Sequence, residues 1–294
     1  MAVYAVDWVD AFSDRAFGGN GCAVVHDAGA LDAETCKRFV RETSLVECTF
    51  LEPSDVADIK IRYFIAPSEI PFAGHPTVAS VASLLHQEKV AEGDLTIETG
   101  AGVLPITVRR DGDAIVVRMT QAKPHFGALA DPGEIALIYG LAPEDILGTP
   151  QVVSTGLGFT IAVISSHDAL RRAKLNWELL QAYTAKHGTP DGQMHEPYLV
   201  ALSGATDAGR TFSRLLLGPP SPPEDPFTGS ATGAAAAYLW HHGLIDQPTY
   251  VAEQGHWMGR PGAAKVKING SRETPTSVEV EGAGYVLMSG DLRL

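Results

Sequence analysis

Glu69-Ile70-Pro71-Phe72-Ala73-Gly74-His75-Pro76-Thr77-Val78-Ala79 returns later in the chain as Glu224-Asp225-Pro226-Phe227-Thr228-Gly229-Ser230-Ala231-Thr232-Gly233-Ala234. Six of the eleven positions are identical, where average residue usage of roughly 5–7% gives less than one match. The offset from Glu69 to Glu224 is 155 residues, close to half of the 294-residue chain. Two lobes of one design are the natural reading. Each copy runs from an extended, proline-containing segment through a glycine into a helix of small and apolar residues. The glycine lets the backbone approach closely, and the helix start offers free N–H groups at its positive dipole end. Such an end suits a carboxylate or oxyanion, and two of them facing each other across a lobe interface would hold a small acid. Taken singly, Gly-His and Gly-Ser are ordinary turns and caps. Their duplication at half-chain spacing favours function.

Outward from the repeat, short alternating or apolar runs predict strands at residues 3–9, 22–25, 45–51, 59–65, 95–98, 198–202, 211–217 and 285–288. Residues 103–109 and 114–119 read as a hairpin turning at Asp111-Gly112, and Asn269-Gly270 reads as a second turn. Helical spacing covers 32–43, with Asp32 as N-cap, and then 77–87, 169–186 and 232–242. Many strands without strand–helix alternation favour an α+β fold over a doubly wound sheet. The lobes are expected at 1–120 and 121–279, with a C-terminal strand near 280–294 returning to the first. The proline-rich stretch 218–223 is too short to separate domains.

Composition narrows the function. With 22 Lys+Arg against 35 Asp+Glu the net charge is −13, and no basic cluster reverses it locally, so nucleic acid and anionic membrane are set aside as partners. No signal-peptide pattern or bilayer-length apolar run is visible, and Cys22, Cys36 and Cys48 follow no disulfide spacing; a reduced, cytoplasmic setting is the default. Cys36, on a helix face with Phe39 and Val40, reads as a core thiol. Phosphate-loop, metalloprotease and nucleophile-elbow motifs are missing, Gly156-Leu157-Gly158 lacks the third glycine of a dinucleotide fingerprint, and the ten histidines show no metal spacing. A site without metal or cofactor, built from acids, His and Ser, is what remains.

At these residues the sequence resembles the phenazine-biosynthesis PhzF-like family, whose fold is shared with diaminopimelate epimerase and proline racemase. The matching blocks include Val6-Asp7, Phe17-Gly18-Gly19-Asn20, Glu47-Cys48-Thr49-Phe50, Glu69 to Pro76, Glu98-Thr99-Gly100-Ala101-Gly102, Ser154-Thr155-Gly156-Leu157, Glu224 to Ala231, and Gln254-Gly255-His256-Trp257-Met258-Gly259-Arg260-Pro261. The resemblance implies two pseudo-symmetric lobes, each a mixed sheet or barrel wrapped around a central helix, a homodimer, and a cofactor-independent isomerase working in the inter-lobe cleft. It implies a small carboxylate substrate like trans-2,3-dihydro-3-hydroxyanthranilate. By the same correspondence Glu47 is the general acid/base, His75, Asp225 and Ser230 complete the catalytic set, and Gly74 and Gly229 offer backbone donors. Local chemistry agrees for Glu47, which sits in an otherwise apolar run where burial would raise its pKa. Without the resemblance, the same glutamate reads as one on a solvated strand face.

Relatives with racemase activity carry cysteine where this chain has His75 and Ser230, so a two-thiol racemase is not expected. Val46 and Cys48 replace the usual Ser and Thr around the glutamate, Phe227 replaces an Ala, and the loop 215–223 keeps its length but loses the family's usual aromatic and glycine, becoming Leu- and Pro-rich. The chemistry is expected to be retained, while the specificity does not follow. Two other readings stay open: a small-acid-binding or regulatory protein with a non-catalytic cleft, and an amino-acid epimerase that does not use cysteine.

Overall fold

The computed structural model describes residues 1–187, 195–219 and 221–294. Its elements are β1 (Val3–Ala11), β2 (Asn20–Val25), α1 (Ala33–Thr43), β3 (Cys48–Glu52), β4 (Ile59–Phe64), β5 (Glu69–Ile70), α2 (Gly74–His86), β6 (Gly93–Thr99), β7 (Gly102–Asp111) and β8 (Ala114–Gln121). They continue as β9 (His125–Leu129), α3 (Pro132–Ile138), β10 (Ile146–Ser154), β11 (Gly158–Ile164), α4 (His167–Arg172), α5 (Trp177–His187), β12 (Pro197–Ala201), β13 (Thr211–Leu216), β14 (Glu224–Asp225), α6 (Gly229–His241), β15 (Thr249–Gln254), β16 (Gly262–Gly270) and β17 (Pro275–Arg293). The fold is α+β. One compact unit comprises Met1–Thr120, Trp257–Ala264 and Glu281–Leu294; the other comprises Gln121–His256 and Lys265–Val280. Trp257–Ala264, left in the second lobe by the sequence reading, joins the first because Gly19 and Ala263 exchange backbone bonds with Pro261 and Phe12 across it.

In the first unit the pairing runs β17–β1 and β1–β2 antiparallel, β2–β3 parallel, β3–β4 antiparallel, β4–β6 parallel, then β6–β7 and β7–β8 antiparallel. A β8–β17 pairing closes these eight strands into a barrel. Each parallel pair needs a crossover, supplied by α1 between β2 and β3 and by α2 between β4 and β6. Helix α2 touches β1, β2, β3, β4 and β7, and residues 74–85 are all buried. A helix enclosed on all sides must be apolar or small all round, which is why Gly, Ala, Val, Ser and Leu fill it. At its C-terminal end the Ser83 hydroxyl donates to Asp7 at 2.6 Å, and the amide of Gln87, the residue after the helix, donates to the same carboxylate at 2.9 Å. Burial alone would raise the Asp7 pKa, but hydrogen bonds from His26, Ser289, Ser83 and Gln87 outweigh it and hold the carboxyl well below its usual range.

The second unit repeats the plan. Strands β9–β10 and β10–β11 are antiparallel, β11–β12 parallel, β12–β13 antiparallel and β13–β15 parallel, while α6 packs on β10, β11 and β12. Both central helices have 13 residues and follow a two-residue strand, and each fourth-position threonine donates to the carbonyl before the helix, Thr77 to Ala73 and Thr232 to Thr228. A buried tyrosine meets each threonine, Tyr63 at 2.8 Å and Tyr198 at 3.2 Å. The two-residue strands are held by matching forks, Arg62 on Glu69 at 2.9–3.0 Å and Arg214 on Glu224 at 2.7–2.9 Å. These forks differ in exposure: Glu69 is 41% exposed and Glu224 13%. Glu224→Gln is therefore expected to cost about 1–3 kcal/mol, and Glu69→Gln less than about 1 kcal/mol. Paired urea titrations check the order.

Asp32 caps α1 through the Thr35 N–H at 2.7 Å, and Cys36 and Val40 enter a core with Val25, Phe50 and Phe64. Elsewhere the local readings shift. The helix expected over 169–186 is two helices, because Ala173 is extended and the Asn176 side chain starts α5 by accepting from the Leu179 N–H. The hairpin turns one residue later than expected, at Gly112-Asp113, with Gly112 in the left-handed region. Asn269-Gly270 ends β16, and the turn follows at 271–274, where the Ser271 hydroxyl accepts from the Thr274 N–H. The strand expected over 45–51 begins at Cys48. In the proline-rich loop 218–223, Pro220 lies outside the described residues. No helix among the described residues is long and apolar enough to cross a membrane.

Candidate active site

Glu47 is not a strand residue. Helix α1 ends in a left-handed turn at Ser44, and Glu47 precedes β3 on the short segment that follows. That position releases it from strand alternation, and its side chain remains 16% exposed. The chain thus presents a half-buried carboxylate beside the helix that carries His75. His75 is the second residue of α2 and is 4% exposed. Its Nδ1 lies 3.4 Å from Glu47 Oε2 and 3.2 Å from the Asn20 side-chain nitrogen. Its Nε2 is buried and has no hydrogen-bond partner among the described residues. Burial, with a smaller push from the Arg260 guanidinium, lowers the His75 pKa to about 3. The imidazole is therefore neutral at physiological pH and available as a donor or acceptor without charge.

This depressed value sets a sign for stability. Between pH 6.5 and about 3 an unfolded His75 binds a proton that the folded one refuses, so its contribution falls as pH drops through that window. His75→Gln is expected to flatten the acid side of the stability profile relative to the parent, as urea midpoints measured from pH 7 to pH 4 would show. An unchanged slope would mean that the folded ring accepts the proton after all.

The loop beside this pair is built around an ion pair whose carboxylate is fully buried. Asp10 is 0% exposed; its carboxylate takes the Phe17 N–H at 2.7 Å and Arg260 Nη2 at 2.7 Å. The same guanidinium donates to the carbonyls of Gly18 and Gly19, each at 2.8 Å. Gly19 has φ +50, and a Cβ there would collide with the Ala11 carbonyl, so no other residue fits this turn. Asn20, directly after it, is thereby fixed against His75. Gly19-Asn20 and Gly259-Arg260-Pro261 stand among the family-matching blocks, and their local sequence assigns them no role. Nothing in one sequence shows that Phe17 and Arg260, at opposite ends of the chain, share the Asp10 carboxylate.

Cys22 and Cys48 are fully buried near Glu47. Burial pushes the Cys48 thiol up to about 12 and the Cys22 thiol well above its ordinary value. Both stay protonated at neutral pH and are poor proton acceptors.

In the second unit, Asp225 ends β14 and is 4% exposed. Its carboxylate accepts from the Thr228 hydroxyl, and Gln254 ties the turn together. The Gln254 amide nitrogen donates to the Asp225 carbonyl at 2.7 Å, while its oxygen accepts from the Thr228 N–H at 3.0 Å and the Tyr198 hydroxyl at 2.8 Å. Gly229 and Ser230 open α6, and the Gln121 amide donates to the Gly229 carbonyl at 3.0 Å. Ser230 is 7% exposed and Phe227 fully enclosed. Neither α2 nor α6 has its first turn capped by the N-cap side chain, which leaves the helix-start N–H groups of Gly74 and Gly229 as candidate donors. The structure thus joins Glu47, Gly74 and His75 within one unit, and Asp225, Gly229 and Ser230 within the other.

Comparison with known proteins agrees with the repeat and the barrel. The family model described as "Phenazine biosynthesis-like protein", PhzC-PhzF, matches residues 9–290. An uncharacterised isomerase of Clostridium acetobutylicum is 28% identical, covering 99% of this chain and 98% of its own. The trans-2,3-dihydro-3-hydroxyanthranilate isomerase of Pseudomonas fluorescens is 30% identical over 97% and 98%. Among solved structures, a PhzF-family phenazine biosynthesis protein of Bacillus anthracis superposes with a TM-score of 0.86 at 26% identity, over the full length of both chains. A probable proline racemase of Agrobacterium radiobacter shares the fold at 16% identity, with a TM-score of 0.64 over 99% and 93%. The chain belongs to the phenazine biosynthesis-like PhzC-PhzF family, has the epimerase-like fold of that group, and is an isomerase.

Proposed function

We propose that this isomerase moves a proton between carbons of a small, carboxylate-bearing substrate without a cofactor, with Glu47 as the general acid/base. The observation that carries this reading is the 3.4 Å approach of the half-buried Glu47 carboxylate to a buried, neutral His75. A carboxylate takes the proton from one carbon and returns it to another, while neutral donors bear the charge that develops on the substrate. His75 and the N–H of Gly74 supply those donors from α2. Asp225, Ser230 and Gly229 are assigned to the same chemistry through the family resemblance, and Ser230 and Gly229 also stand at the repeat positions of His75 and Gly74.

With a net charge of −13 the overall field opposes an anionic substrate, so short-range donors must hold it. The Pseudomonas fluorescens relative makes trans-2,3-dihydro-3-hydroxyanthranilate the first compound to try. Val46, Cys48 and Phe227 depart from the family's usual residues, so the relative's substrate does not fix the preferred acid.

Turnover in heavy water tests the reading. The product is expected to carry deuterium at the newly protonated carbon, and activity is expected to survive a chelator. Saturable binding of the acid without any exchange at carbon would replace the isomerase by a binding protein.

A further inference from the structure

Asn20 and His75 are both buried, at 2% and 4% exposure, and meet through the Asn20 amide nitrogen and His75 Nδ1 at 3.2 Å. An amide nitrogen only donates. The neutral ring it faces must accept at Nδ1 and carry its proton on Nε2. That Nε2 is the buried ring atom without a hydrogen-bond partner among the described residues. Leaving a buried N–H unmade is costly, and such an exception calls for a ligand or a catalytic role. Asn20 has little freedom to turn away: it opens β2 opposite Ala11, and the carbonyl before it is held by Arg260.

We infer that Asn20 is a positioning residue that locks neutral His75 in the Nε2–H tautomer, so that Nε2–H is the donor offered to the substrate oxygen on which charge accumulates. Asn20 uses the single lone pair of Nδ1, so in this tautomer the ring donates nothing to Glu47 Oε2, 3.4 Å from the same atom. This inference rests on the isomerase reading for its function but not for its geometry. An amide turned over would present its oxygen and reverse the tautomer, and the experiment separates the two.

The full-length protein labelled with 15N-histidine is examined at neutral pH by long-range 1H–15N correlation, with His75 assigned through its loss in His75→Gln. The expected result is a pyrrole-type Nε2 and a pyridine-type Nδ1. Asn20→Asp offers only an acceptor and is expected to reverse the pattern, lowering kcat about 100-fold with KM nearly unchanged. Should Asn20→Asp not fold, Asn20→Ala is expected to give a tautomer mixture, and the parent spectrum decides alone. An Nδ1–H ring in the parent, or a reversed tautomer at undiminished kcat, overturns the inference. Failure of the isomerase reading would be seen separately, as absent deuterium exchange alongside an unchanged Nε2–H spectrum.

Discussion

Glu47→Gln is expected to lower kcat by about 1,000-fold, within the range ascribed to a positioned general acid or base, while binding of the substrate acid changes little. The amide keeps the shape and one hydrogen-bonding oxygen, but it cannot take up and return a proton. Its folding cost is expected to be small, because the amide matches the carboxylate in shape and the residue lies on a connecting segment outside the barrel strands. That separation of effects makes the variant informative. Turnover and deuterium incorporation should fall together, since both pass through the same proton. If deuterium still enters carbon at the parent rate, another group is the base, and Asp225 is the next to examine. If both binding and exchange vanish while the protein stays folded, Glu47 holds the substrate instead of reacting with it. Cys22 and Cys48 are not substitutes: burial keeps both thiols protonated.

Much of the molecule is readable in the sequence because its signals are local or repeated. The eleven-residue repeat marks both central helices, since each start needs the same glycine, the same back-bonding threonine and the same small residues to fit inside strands. Asp32 marks a helix start through a bond only three residues long. Glu47 shows the limit. Its apolar neighbours suggest a strand through 45–51, but the left-handed end of α1 at Ser44 delays the strand to Cys48. Residue periodicity carries no trace of that backbone turn. The helix expected over 169–186 fails for a similar reason, because the capping Asn176 outweighs a helical pattern that continues on both sides. The Asn20 contact and the Asp10–Arg260 pair are less legible still. They depend on the barrel bringing distant segments together, and a polar residue next to a glycine reads first as a turn.

Arg260→Gln is expected to destabilise the protein by about 3 kcal/mol, the scale for removing one partner from a buried ion pair. Asp10 is fully buried, and its carboxylate would keep the Phe17 N–H but lose the guanidinium. The carbonyls of Gly18 and Gly19 lose their donors in the same step. Adding Asp10→Asn should recover part of the loss, because the stranded charge is then gone. The two single costs should therefore exceed the cost of the double variant by about 1 kcal/mol or more. Urea unfolding of the four proteins measures this coupling. A second readout ties the clamp to the site. Arg260 is the smaller of the two influences that depress His75, after burial, so its loss should raise the His75 pKa while leaving it below 6.5. Arg260 is 32% exposed on its side chain, and water could screen it enough to make the pair nearly neutral in energy. In that case the single variant would cost less than about 1 kcal/mol and His75 would not move. The Gly18-Gly19 turn would then be held by its backbone geometry and the Asp10–Phe17 bond, with the guanidinium a bystander.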